Sequence, residues 1–522
     1  MVAYILPIEK PERYVKIHIR RYNPEFDEGP VIKTYDIPFV STMTVMQALE
    51  YLWDQGEYMA FRSNCREFTC GSCAILINNE PKLACMTLLE DNMVLEPLSI
   101  FPVSRDLVVD QNKLIKKYEK LRLWPDYNRK CIEDFQVSQE TMKRYENIYS
   151  RCVECYCCLE SCPSLAVDWD SYAGPMLMVQ LGRLDDHPLD EVDRVRMTVV
   201  SGLFNCTTCM KCEEVCPLDL SCPRDVIENF RKKAVERGEG ILQGHLNVVK
   251  KIEETGKYVS PEGTPFLEEI SEKIEPRKAI DTVGFFVGCL ADLNFQESAK
   301  ALVNVLKRNR VTLLIPRDQV CCGSPLIRMG QTKIAEEMIL KNVEIFKKKN
   351  AQRIITLCAH CAYTIKKDWP NIYKKKTGKE LNMEVMDVSE YLIKAANIDK
   401  KGLKSLEKEV TYHDPCYLNR GLGISGEPRE LIKRIPKLKL VEMEKADRCC
   451  GGGGEVKDGV PEVAEAIGLT KMELIRNTEV DMVITACPHC VKQLREISSK
   501  REDKYEICSL VELLDRSYQG NL

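Results

Sequence analysis

Residues 13–22 read RYVKIHIRRY, with apolar and polar positions alternating at a period of two, which predicts a strand. TVMQALEYLWDQG at 44–56 carries its apolar residues at helical spacing, and AILIN at 74–78 is again strand-like. Beyond residue 280 the pattern changes to short apolar runs, TVGFFVG (282–288), VTLLIP (311–316), RIITL (353–357), EVTYHDP (409–415) and VDMVITA (480–486). Helix-like segments at 296–308, 332–349 and 462–477 lie between them. The first pattern suits a β-grasp domain, and the second suits a Rossmann-like α/β layer in each of two halves, with ligands expected at the strand ends. GLGISG at 421–426 matches a dinucleotide fingerprint by letter, but it follows Cys416 rather than joining a strand to a helix, and it reads as a loop.

At 522 residues the chain is long enough for three or four domains of ~150 residues. A hydrophobic fraction of 44% with 30% charged residues describes a globular protein, and a net charge of -4 offers nothing to nucleic acid. No run approaches the ~18 apolar residues of a membrane span. The N-terminus MVAYILPIEKPERYVKIHIR lacks a basic leader and a small-residue cleavage site, so a cytoplasmic location is expected. In that compartment 26 cysteines imply metal binding or catalysis rather than disulfides.

The cysteines fall into four groups. Cys65, Cys70, Cys73 and Cys85 have the C-x4-C-x2-C spacing and distant fourth ligand of a plant-type [2Fe-2S] site, with Gly71 letting backbone amides approach the sulfurs. CVECYCCLESCP (152–163) and CTTCMKCEEVCP (206–217) each contain C-x2-C-x2-C-x3-C-P, the run of a two-cluster ferredoxin. Since the fourth cysteine of each run serves the other cluster, one cubane [4Fe-4S] is assigned to Cys152, Cys155, Cys158 and Cys216. The other is assigned to Cys206, Cys209, Cys212 and Cys162.

The last group is an internal duplication: Cys289, Cys321, Cys322, Cys358 and Cys361 recur as Cys416, Cys449, Cys450, Cys487 and Cys490, at offsets of 127 to 129 residues. Five thiols exceed what a cubane needs, and adjacent cysteines are expected to diverge and so not to share an iron, which implies clusters of unusual geometry. Gly323 and Gly451 to Gly454, Gly452 among them, would turn the chain tightly and leave room for sulfide or substrate beside the paired thiols. Zinc is the competing reading, because CAHC (358–361) and CPHC (487–490) are each half of a zinc knuckle. His360, His413 and His489 adjoin these ligands as hydrogen-bond partners that would tune cluster potential. Cys131, Cys157, Cys222 and Cys508 are left over and read as buried free thiols.

SNCREFTCGSCAILI, FPVSRDLVVD and CYCCLESCP resemble the iron–sulfur subunit of succinate dehydrogenase and fumarate reductase over residues 10–235. FFVGC, CCGSP, YHDPCY and CCGGGG, over 280–510, resemble the CCG-domain catalytic subunit of heterodisulfide reductase. The fusion of both is similar to the iron–sulfur, CCG-bearing subunits of thiol:fumarate reductases. That resemblance implies a noncubane [4Fe-4S] cluster on each five-cysteine set, making these ten cysteines catalytic. It implies that cluster iron binds substrate sulfur, that coenzyme M and coenzyme B are the thiols, and that a separate FAD flavoprotein subunit reduces fumarate. Two departures from the respiratory subunits matter. Cys209 fills a ligand position that they usually lack, which favours a full [4Fe-4S], while Leu165, Ala166, Val167 and Thr207 replace residues expected near a quinone.

The expected organisation is a plant-type ferredoxin domain at 1–115, a helical two-[4Fe-4S] domain at 116–240, a linker at 241–278 and CCG domains at 279–400 and 401–522. The competing function is an electron-transfer subunit of a glycolate, lactate or glycerol 3-phosphate flavoprotein dehydrogenase, or of a soluble succinate dehydrogenase. The plant-type domain is the feature that argues against the first three.

Overall fold

The alternating segment at the N-terminus becomes strand β1 (Arg13–Arg21), with Val15, Ile17 and Ile19 facing inward. It pairs antiparallel with β2 (Val31–Phe39) and parallel with β5 (Met93–Glu96), which is flanked by the hairpin β3 (Ala74–Ile77) and β4 (Glu80–Leu83), giving the order β2-β1-β5-β3-β4. The helix Val45–Asp54 packs on this sheet through Val45, Met46, Leu49 and Leu52. A capping box starts it: Gln47 N–H donates to Thr44 Oγ1 at 3.3 Å and Thr44 N–H to Gln47 Oε1 at 2.8 Å, a motif that contributes about 1 kcal/mol. This is the β-grasp arrangement expected. A small hairpin, β6 (Val103–Arg105) with β7 (Val108–Val109), follows.

The computed structural model describes residues 11–126, 137–396, 398 and 402–520. Its contacts divide the chain into two compact units, Met1–Gly202 with Lys211–Ile227 and Leu203–Met210 with Glu228–Leu522. Among the described residues no helix is long and apolar enough to cross a membrane.

In the second unit the duplication is structural. The first half holds β9 (Asp281–Phe286), β10 (Val311–Leu314), β11 (Arg353–Thr356) and β12 (Glu384–Asp387), in the order β12-β11-β9-β10 with a short antiparallel β8 (Lys273–Ile274) at the edge. The second half holds β13 (Glu409–His413), β14 (Lys439–Leu440), β15 (Met482–Thr485) and β16 (Glu506–Ser509), in the order β14-β13-β15-β16. Both are therefore four parallel strands ordered fourth, third, first, second. One apolar core runs through both halves, joining Val283, Phe285 and Ile355 to Met482, Ile484 and Leu510. Because the chain leaves the first strand toward one side and the third toward the other, a crevice opens at their carboxyl ends, where ligands bind in such sheets.

The segment 241–278, expected to be a linker, is instead part of the second unit's packing. Its helix Gln243–Thr255 buries His245, Val248, Val249 and Ile252, a spacing of three and four that makes one apolar face. GLGISG, expected to be a loop, supplies the end of the helix Cys416–Leu422, a left-handed cap at Gly423 and the start of the helix Gly426–Arg434.

Candidate functional site

Cys65, Cys70, Cys73 and Cys85 gather in the first unit. The Cys65 and Cys70 thiols are in hydrogen-bonding contact, as are those of Cys73 and Cys85. Glu67 N–H donates to Cys65 Sγ at 3.4 Å and the Ser72 hydroxyl lies 3.2 Å from Cys70 Sγ, contacts of the kind that set a cluster's potential. Gly71 does more than let amides approach sulfur: at φ +68°, a Cβ there would meet Val153 O at 2.3 Å and Cys155 Cα at 3.0 Å. The bare backbone thus lets the plant-type loop touch the second cysteine run.

In that run Cys152, Cys155 and Cys158 line one cavity with Cys212 and Cys216. Burial pushes the Cys158 thiol well up, reinforced by Cys155, Cys152, Cys212 and Cys216 around it, a set of sulfurs whose repulsion a bound cation would relieve. Cys157 and Cys222 also line the cavity, but Cys222 donates to Pro175 O at 3.5 Å, as a protonated thiol does. Cys508 is buried on β16, and burial raises it to about 12. Cys131 lies outside the described residues.

Cys206 and Cys209 belong to the second unit. Two buried arginines that sequence reading did not single out organise their surroundings. Arg231 delivers all five guanidinium N–H donors to carbonyls: Leu203 (3.2 and 3.0 Å), Cys206 (2.8 Å), Arg328 (2.7 Å) and Gly454 (3.2 Å). It thereby ties the third cysteine run to the four-glycine loop. Arg328 pairs with Glu228 and, at 2.7 Å, with Asp368, and lies over the rings of Tyr363 and Tyr417. Periodicity gives no sign of either, since an arginine on a helix reads as a surface residue until its neighbours are known.

The ten cysteines of the duplicated halves are all buried and form one string. Thiol contacts link Cys289 to Cys321, Cys321 to Cys322, Cys322 to Cys361 and Cys361 to Cys358. They repeat in the second half from Cys416 through Cys449, Cys450 and Cys490 to Cys487, the Cys450 and Cys490 sulfurs being 3.6 Å apart. Cys358 touches Cys487, which joins the halves, and Cys209 touches Cys449 at the far end.

The adjacent cysteines do not diverge as expected. Cys321 and Cys322, like Cys449 and Cys450, hold their thiols within hydrogen-bonding range, because the pair lies in an irregular loop rather than in extended backbone. A left-handed glycine, Gly323 or Gly451, each at φ +90°, then turns the chain away. A Cβ at Gly323 would press on Ile339, at Gly451 on Ala464 O and at Gly452 on Gln493, so these positions let the loops lie close against helices. Cys289, Cys358, Cys416 and Cys487 each stand at a helix start. Neighbouring thiols and burial hold Cys289, Cys358 and Cys416 well above the ordinary thiol range, whereas Cys487, although buried, is held well below it by its contacts with Cys358, Cys490 and His360.

His360 stacks between Tyr417 and His489, with Nδ1 3.8 Å from Cys487 Sγ and Nε2 buried with no hydrogen-bond partner among the described residues. His413 Nδ1 lies 3.2 Å from Ala446 O, and burial lowers both His413 and His489 to about 3, so both are neutral. Cys358 with His360 and His489, and His413 with Cys450 and Cys490, are mixed groupings a single metal ion could use. A string of ten sulfurs is far more donor than two such ions need, and a sulfur-rich donor set fits iron–sulfur chemistry.

Comparison with known families agrees with this layout. Residues 16–116 match a 2Fe-2S iron-sulfur cluster binding domain, 148–220 a 4Fe-4S dicluster domain, and 283–366 and 410–495 a cysteine-rich domain. The chain is 39% identical to a fumarate reductase (CoM/CoB) subunit of Methanothermobacter marburgensis, over 97% of this chain and 100% of that one. It belongs to that fumarate reductase (CoM/CoB) subunit family. The family frame covers both units, and the chain is an iron–sulfur oxidoreductase subunit. It is also 40% identical to an uncharacterized iron-sulfur protein of Methanococcus maripaludis over 93% of this chain and 97% of that one. A subunit of the dihydromethanophenazine:CoB–CoM heterodisulfide reductase of Methanosarcina barkeri is 30% identical over 70% of this chain and 92% of its own. Among solved structures, a hypothetical protein from Helicobacter pylori shares the fold at TM-score 0.64 and 12% identity, covering 98% of this chain and 95% of that one.

Proposed function

We propose that this chain oxidises the thiols of coenzyme M and coenzyme B to their mixed disulfide. The two electrons go to a separate FAD flavoprotein subunit that reduces fumarate to succinate. The observation that carries this reading is the unbroken string of ten buried thiols at the ends of two duplicated sheets, in a chain that also bears a plant-type ferredoxin fold. The heterodisulfide and fumarate names of its relatives support it.

The cofactors we assign are one [2Fe-2S] on Cys65, Cys70, Cys73 and Cys85, two cubane [4Fe-4S] centres on the second and third cysteine runs, and two noncubane [4Fe-4S] centres on the five-cysteine sets. When bound, these centres supply one-electron carriers and, in the duplicated halves, iron that holds a substrate sulfur. The protein's own residues do the rest. His360 and neutral His489, with Tyr258, wall the chamber beside Cys289, Cys322 and Cys358. Where the halves meet, at the helix starts of Cys358 and Cys487, burial holds Cys358 as the thiol while contacts with Cys358, Cys490 and His360 favour the thiolate of Cys487.

The test uses the anaerobically purified complex of this chain with its flavoprotein, supplied with coenzyme M, coenzyme B and fumarate. Equal loss of both thiols with one succinate per pair is expected, together with roughly 18 irons per chain. No thiol loss from a chain whose centres still accept electrons would make it a conduit for another donor. Zinc in place of iron would end the reading altogether.

A further inference from the structure

The chamber that holds the first five cysteines is also lined by a carboxyl group, Glu455, placed directly after the four glycines that follow Cys450. It is 3% exposed and takes up left-handed backbone at φ +56°, strained for a residue with a Cβ. His245 Nε2 lies 2.8 Å from the Glu455 carbonyl oxygen and fixes that backbone. Among the described residues no cation is paired with the Glu455 carboxyl; its hydrogen-bond contact is the hydroxyl of Tyr258.

Tyr258 looks both ways. With His489 it lines the inner chamber, and the same two residues line a second cavity of about 290 Å³. The Tyr258 hydroxyl donates to Asp458 Oδ2 at 2.7 Å, and Asp458 lines that second cavity together with Lys251, Lys457 and Lys492. A continuous series of hydrogen-bonding groups therefore leads from the thiol chamber through Glu455, Tyr258 and Asp458 to a basic cavity.

We propose that Glu455, Tyr258 and Asp458 form the exit for the protons that thiol oxidation releases inside this chamber. The proposal rests on the function proposed above, for which the balance is R–SH + R′–SH → R–S–S–R′ + 2 H+ + 2 e−. The S–S bond forms, two S–H bonds break, both sulfurs are oxidised, and the electrons reduce the C=C bond of fumarate at the flavoprotein. The protons have to cross the half-buried rings of Tyr258 and His489 that separate the two cavities, and a carboxyl group that changes charge near neutral pH is suited to carry them.

The groups facing Glu455 are Asp458 on its own helix, His360, Tyr258 and Arg231 from the elements packed against it, and His245 at its backbone. Burial, with the Asp458 charge added, raises Glu455 to about 7, while His360, Tyr258 and Arg231 act the other way. Asp458 is raised too, by burial, against Tyr258, Lys457, Lys492 and Lys251.

Infrared difference titration of the anaerobic, cluster-loaded chain tests this without substrate. The protonated-carboxyl band is expected to titrate near pH 7 and to vanish in Glu455→Gln, with the visible and EPR spectra of the centres kept. A wild-type chain without that band, or a variant that retains it, overturns the proposal. Thiol oxidation then reads the path. Glu455→Gln is expected to slow it at least tenfold at pH 7 and to remove the limb of the pH–rate profile near 7, with Glu455→Asp restoring part of both. Tyr258→Phe is expected to raise the solvent deuterium isotope effect. A variant with unchanged rate and pH profile in an active complex also overturns the proposal. Thiol oxidation absent in wild type, with the carboxyl band present and lost in Glu455→Gln, instead counts against the thiol reaction and leaves Glu455 as a proton-exchanging group.

Discussion

The thiol of Cys358 is in hydrogen-bonding contact with that of Cys487, its own counterpart 129 residues later in the duplication. The two halves thus meet at equivalent positions, each the fourth cysteine of its set and each at a helix start. A two-electron reaction built from two one-electron partners needs such a junction, because both sulfurs of the product must be handled within bonding distance of each other.

From that contact, Cys358→Ser and Cys487→Ser are each expected to lose roughly four irons and to reduce thiol oxidation at least a hundredfold. The double variant should be no slower than either single one, since groups that act as a unit are not additive. Iron analysis and thiol titration on the purified complexes check this. Independent, multiplying losses would mean that the two sets work separately.

Gly71→Ala places a Cβ 2.3 Å from Val153 O at a left-handed backbone position. Left-handed conformation costs Ala about 1–2 kcal/mol, and the clash adds to it. Earlier loss of the [2Fe-2S] visible circular dichroism on heating, with the midpoint lowered by several degrees, is the expected result. An unchanged melt would show that the two loops separate at little cost.

Arg231→Met removes the donors to the carbonyls of Leu203, Cys206, Arg328 and Gly454 at once. Each buried carbonyl left bare costs about 1–3 kcal/mol, so the third cysteine run should lose its order first. Lower iron content, with the [2Fe-2S] signal retained, is expected; full iron content in the methionine variant would refute the assignment.

Acid should destabilise the second unit through His245. Its ring is fully buried, against Phe204, and burial lowers it to about 4, below the ~6.5 of an unfolded chain. The unfolded chain therefore binds the proton first. The stability is present above pH ~6.5 and is lost as pH falls toward 4, by up to about 3 kcal/mol. Anaerobic acid unfolding of wild type against His245→Gln measures it, the variant being expected to show a flatter decline over that window. Equal slopes would mean that His245 does not govern the acid limb.

The cysteine spacings, with the strands preceding Cys289, Cys358, Cys416 and Cys487, were legible in the sequence because they are local. Ligand runs need short loops, and strands buried on both faces read as continuous apolar segments. The same local signals determined the β-grasp sheet, the helix after Thr44 and the internal repeat. Tertiary structure alone decided that Cys321 and Cys322 converge, that Cys358 meets Cys487, that Gly71 serves the second cysteine run and that the helix Gln243–Thr255, within 241–278, packs into the second unit. It also decided that Arg231, Glu455 and Tyr258 matter at all. Each of these depends on which residues distant in sequence become neighbours, and an arginine, glutamate or tyrosine acquires its role only from the carbonyls, thiols and cavity walls that folding brings around it.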